Sequence, residues 1–79
     1  MPSRLGGDQR RALEMLADAG LRGCTGATLL AQGFSPDMLA GLVRDGYATA
    51  AVESMRMRGR KIKVARMRIT IAGHRVLEE

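Results

Sequence analysis

The chain has 79 residues, 46% of them hydrophobic, 3% aromatic and 27% charged, with a formal net charge of +5. That is enough for one domain with a thin core, and with no Trp, one Phe and one Tyr the core must be built from Leu, Ile, Val, Met and Ala. The apolar content excludes a disordered tail, the single Cys24 excludes an intramolecular disulfide, and no apolar run approaches the roughly 18 residues of a membrane span.

Asp8 predicts the cap of a first helix, GDQRRALEMLADAG, stopping at Gly20. Ala12, Leu13, Leu16 and Ala19 recur at helical spacing, with Met15 beside them. LRGC reads as a short connection. Thr25 is the expected N-cap of a second helix, GATLLAQ, ended by Gly33, and Phe34 follows as an apolar plug. Ser35 caps a third helix, PDMLAGLVRD, with Pro36 at the first helical position, where a missing N–H costs nothing. Met38 or Leu39, Leu42 and Val43 are its expected buried residues, and it ends at Gly46. Two helices joined through Gly33 and Phe34 make a helix-turn-helix.

After Gly46 the apolar period falls from 3.6 to 2, which predicts an antiparallel hairpin. Gly59-Arg60 is the expected two-residue turn, with Arg58 facing Lys61. One face then carries Ala50/Ile69, Val52/Met67, Ser54/Ala65, Arg56/Lys63 and Arg58/Lys61, and its apolar base closes the core. The other carries Ala51/Arg68, Glu53/Arg66, Met55/Val64 and Met57/Ile62. Thr70 caps a short last helix, IAGHRVLEE, weakened by Gly73, with Val76 and Leu77 packing back on the first helix. The expected fold class is α+β over a single domain, residues 1–79: three helices, a two-stranded hairpin and a short C-terminal helix.

Charge is uneven along the chain. In residues 1–40, Arg4, Arg10, Arg11 and Arg22 balance Asp8, Glu14, Asp18 and Asp37, so residues 41–79 carry the whole excess. Arg56, Arg58, Arg60, Lys61, Lys63, Arg66 and Arg68 follow one another with no acid among them. Such a run is an electrostatic footprint for a polyanion; the alternative is a solvated, solubilising face. The hairpin tip is basic on one side and apolar on the other, where Met55, Met57, Ile62 and Val64 form a candidate interaction surface.

The remaining signals are bland. Cys24 reads as a small buried thiol and His74 as a partly exposed helical histidine, with no ligand spacing for a metal between them. The glycines at 20, 23 and 26 follow a helix rather than a strand, so they are connection residues and not a nucleotide loop. The methionines read as packing residues rather than soft-metal ligands. No paired carboxylates, nucleophile–base set or phosphate loop is visible, and the expectation is a non-enzyme with no cofactor. MPSRLGGDQRR has no apolar run after its charges, so a cytoplasmic location without membrane contact is expected.

The order helix, helix-turn-helix, hairpin matches the winged-helix fold. LLAQGFSPDMLAGLVRDGYATA resembles the helix-turn-helix and first wing strand of bacterial winged-helix regulators. ARMRITIAGHRVL resembles their second wing strand and the start of the next helix, notably in the multiple-antibiotic-resistance-regulator type. The resemblance runs from Arg10 to Leu77. It implies a transcription-regulating, DNA-binding module, often dimeric, with Ser35 to Arg44 as the recognition helix in the major groove. Arg56 to Lys63 would be the wing, touching the minor groove or the backbone. The recognition helix departs from that pattern. Its exposed candidates are Ser35, Asp37, Ala40, Gly41 and Arg44, of which only Arg44 could donate to a base or phosphate. The implied contacts therefore fall on Arg56, Arg58, Arg60, Lys61 and Lys63, with Arg44 in support. The alternative is a protein-interaction or dimerisation module working through the apolar tip face.

Overall fold

The computed structural model describes residues 5–79. Arg4, counted above among the N-terminal charges, lies outside them. The fold is mixed α+β, with four helices and a three-stranded antiparallel sheet among the described residues. The first helix, α1, spans Gly7–Ala19. A single 3-10 turn over Gly20–Arg22 leads into strand β1, Cys24–Thr25. Helices α2 (Gly26–Ala31) and α3 (Pro36–Arg44) follow, then β2 (Ala48–Met57), β3 (Arg60–Ile69) and α4 (Ile71–Leu77).

Caps set most of these ends. Thr25 Oγ1 accepts from the Thr28 amide at 3.1 Å and Ser35 Oγ from the Met38 amide at 3.1 Å, as their sequence positions predict. The expectation for Asp8 is corrected. Gly6 is the N-cap of α1, its amide donating to Gln9 Oε1 at 2.8 Å. Asp8 sits in the first turn, where its charge suits the helix dipole, and pairs with Arg11 one turn on.

The core collects Ala12, Leu13 and Leu16 of α1, Leu29 of α2, Phe34, Leu39 and Leu42 of α3, Ala48 and Met67 of the sheet, and Val76 of α4. Leu13, Leu16, Leu29 and Leu42 are fully buried, each stabilising the fold by about 1.5–3 kcal/mol relative to exposure. Val43 and Gly41 exchange their expected places: Val43 is exposed and Gly41 buried.

Three features of the sheet differ from the sequence expectation. The connection LRGC runs into a strand at Cys24: Cys24 pairs with Met67 and Thr25 with Arg66 on the outer edge of β3. Gly23 permits this approach, because a β-carbon there would lie 2.0 Å from the Met67 carbonyl oxygen.

The hairpin turns at Arg58-Gly59 rather than Gly59-Arg60, with φ of 53° and 79°. Positive φ at both central residues is the type I′ geometry, which matches strand twist as well as II′ does. The pairing decides between them. A Gly59-Arg60 turn would set Ala48 and Thr49 opposite Ile71 and Thr70, which begin α4, and leave their backbone groups without a ladder. The observed register pairs Ala48 with Ile69 and Thr49 with Arg68, and runs unbroken to Met57 and Arg60.

The third difference is at the base of the core-facing side. Ala48 and Met67 close the core, while Val52 is 69% exposed. A two-residue shift keeps the side chains that pair in both registers on their expected faces and changes only their partners; Arg58 and Arg60, at the turn, are the exceptions.

Candidate nucleic-acid interface

Ten paired residues at about 3.4 Å each make a ribbon of roughly 34 Å. It accounts for the elongation of a molecule measuring 51 × 22 × 20 Å. Between residues 54 and 63 no side chain is buried. The two-residue β1 supports β3 only at Arg66 and Met67, so the ribbon beyond Ala65 is two strands wide.

The basic run divides into two groups. Arg66 and Arg68 are engaged at the base. Arg66 Nε donates to Glu53 Oε2 at 3.2 Å and its Nη1 to the Arg22 carbonyl at 3.0 Å. Arg68 Nη2 donates to Glu53 Oε1 at 2.9 Å and its Nε to the Leu21 carbonyl at 2.8 Å. The Arg68 hydrogen bond is the largest influence on the Glu53 carboxyl; desolvation opposes it, and the Arg66 hydrogen bond and the charge of both arginines add to it, so the carboxyl is held below the ordinary glutamate range. The expected Glu53–Arg66 pair is therefore present, reached diagonally, since Glu53 lies opposite Val64. Its extension to Arg68 was not visible in the alternation pattern.

Arg56, Arg58, Arg60, Lys61 and Lys63 form the second group. All five are exposed, and none pairs with an acid among the described residues. Arg56 lies directly opposite Lys61, and Lys63 joins them on the same face opposite Ser54. Like charges opposite each other destabilise a strand pair by a few tenths of a kcal/mol to about 1 kcal/mol. The tip therefore carries a repulsion that a polyanion would relieve. The register moves two residues from their expected places: Arg58 is in the turn and leaves the basic face, and Arg60 sits opposite Met57 on the apolar face.

Met55, Met57, Ile62 and Val64 share that apolar face, with Met55 directly opposite Ile62. Met55 is 39% and Met57 56% exposed; Ile62 and Val64 are half-buried. Arg44 stands apart at the C-terminal end of α3, its Nε 3.8 Å from Asp45 Oδ1. Ser35, Asp37, Ala40 and Val43 are the other exposed side chains of that helix and its cap, with Pro36.

Elsewhere the chemistry is sparse. Cys24 is half-buried with its thiol toward the Met15 carbonyl at 3.9 Å, and His74 is exposed on α4. No cluster of three or more His, Cys, Asp or Glu residues among the described residues could hold a metal ion. No helix among them is long and apolar enough to cross a membrane. The chain matches no protein-family model, no curated protein and no solved structure.

Proposed function

We propose that the chain is a winged-helix module that docks on duplex DNA, chiefly by contacts between the hairpin tip and phosphates. It acts as a binding module rather than an enzyme, and regulation of transcription is the role the family resemblance adds. One observation carries the reading: five exposed cations without an acidic partner among the described residues, gathered at the unburied end of a ribbon. Within this reading β2 and β3 are the wing, and α3 is the helix that lies toward the groove. That helix offers Arg44 alone as a cationic donor, and Asp37 in its first turn repels phosphate. Specificity through base edges is accordingly low, because phosphate contacts position a protein without reading sequence.

The test is binding to a labelled duplex by fluorescence anisotropy across a salt series. Four or five neutralised phosphates give a slope of log affinity against log salt of roughly −4, since each contributes about −0.9. Replacing Arg56 and Lys61 together by Ala flattens the slope by nearly two units and weakens binding to all sequences alike. Arg44→Ala has the smaller effect. A strong sequence preference abolished by Arg44→Ala, with the tip variant unchanged, would overturn the assignment.

A second reading has its own observation, the exposure of Met55 and Met57 on the apolar tip face. A second copy or another protein pairing there would make the chain an interaction module. Sedimentation of the free protein over a concentration series tests it, with Met57→Asp weakening any self-association seen.

A further inference from the structure

The apolar side chains of the tip have no part in holding phosphates, yet they lie within the cationic cluster. Met57 is the last residue of β2, 56% exposed, and borders a shallow depression with Arg58, Arg60 and Ile62. Its side chain is unbranched and polarizable, suited to filling irregular apolar gaps. A second copy is a poor occupant. Pairing the two faces would bring together two tips with five exposed cations each. Four side chains also fall well short of the ~800 Å² per partner of a standard interface. A ligand that is at once polyanionic and apolar inside is duplex DNA, whose stacked bases lie between phosphate ridges.

We propose that Met57 is a wedge that enters between two base pairs when the tip docks, so that binding bends the duplex. The proposal rests on the DNA-binding reading of the tip and adds the mode of engagement. Two strands lie about 4.8 Å apart before side chains are added, and the minor groove is about 6 Å wide. The ribbon therefore enters only by opening the groove, which unstacks a step and leaves an apolar gap at the turn. Met57 fills that gap. Arg58 in the turn and Arg60 across the ladder stand on either side of it, placed to neutralise the phosphates that the bend draws together. Pyrimidine–purine steps unstack most readily and A-tracts resist, so the module selects deformability at positions it does not read by hydrogen bonds.

The experiment uses the full chain and two duplexes of about 25 base pairs, one with a central TA step and one with an A-tract, each carrying a donor and an acceptor dye at its ends. Wild type raises energy transfer on the TA duplex and binds it roughly tenfold more tightly than the A-tract. Met57→Ala loses both effects while keeping the salt slope, because all five cations remain. Met57→Leu, apolar and of similar volume, retains them. Position 57 lies outside the core, so each variant folds. Binding with unchanged energy transfer and equal affinity for both duplexes overturns the wedge and leaves the phosphate reading standing. No binding to either duplex at low salt removes both. Self-association that competes with DNA and is lost in Met57→Asp assigns the face to a second copy and also overturns the wedge.

Discussion

A β-carbon at position 73 would lie 2.3 Å from the Tyr47 carbonyl oxygen and 2.6 Å from Ile69 Cγ1. Gly73 is therefore what lets α4 sit against the start of β2, where sequence propensity marked it as a weakness. The two effects oppose each other, and their sizes decide the outcome. Gly73→Ala gains about 1 kcal/mol of helix propensity, while displacing backbone in a packed contact costs about 1–3 kcal/mol or more. A lower urea midpoint is expected, and a raised one would mean that α4 does not dock as described. Arg58 gives the complementary case. It holds φ of 53°, a region that disfavours residues with a β-carbon by roughly 1–2 kcal/mol and that Asn tolerates better. Arg58→Asn should raise the melting temperature and, on the proposed DNA-binding reading, reduce the salt slope by about 0.9. Stability and affinity move in opposite directions in this variant, which no general loss of folding would produce. Residue chemistry was legible here only in part. Gly59 marked the turn, but both two-residue turns containing it leave the faces of the ribbon below Met57 identical, so alternation could not choose between them.

Helix ends were the most legible elements. Thr25, Ser35 and Thr70 each accept the amide bond that a cap position implies, because the signal is local in sequence and in space. Strand β1 was not legible, since two residues have no periodicity and its pairing depends on Gly23 meeting a strand more than 40 positions away. Thr70 does more than its pattern announced. Its hydroxyl accepts from the Gly73 amide at 3.1 Å and donates to the Gly46 carbonyl at 2.6 Å, while its own amide reaches the Tyr47 carbonyl at 3.0 Å. It thus fastens the start of α4 to the turn that ends α3. Thr70→Val keeps the shape and removes the hydroxyl, with an expected loss of about 1–2 kcal/mol in denaturant unfolding. An unchanged midpoint would show that solvent replaces both bonds without cost.

At the scale of the molecule, a compact helical body carries a ribbon whose end makes no buried contact, so something at the base must hold its direction. Glu53 is that point: it receives Arg66 and Arg68, each of which gives one further donor to the 3-10 turn beside α1, Arg66 to the Arg22 carbonyl and Arg68 to the Leu21 carbonyl. The sequence showed seven cations in one run and did not show that two of them brace the other five, because the brace is closed by carbonyls far away in the chain. The sign of its pH dependence follows from the direction of the Glu53 shift. Its carboxyl is held below the ordinary glutamate value of about 4.3, so its contribution is fully present above that value and is lost as pH falls through the folded-state value. Glu53→Gln should therefore melt below wild type at pH 7, and the gap should close on acidification below the glutamate range. A gap that persists unchanged at low pH would mean that packing, not charge, fixes the base of the ribbon. The same variant frees Arg66 and Arg68 from their acid and raises the formal net charge from +5 to +6. On the proposed DNA-binding reading, a brace that only aims the tip predicts that affinity falls through lost preorganisation while the salt slope stays near −4. A slope steeper by one or two units would instead show the freed arginines joining the phosphate contacts, and would extend the interface from the tip toward the base of the ribbon.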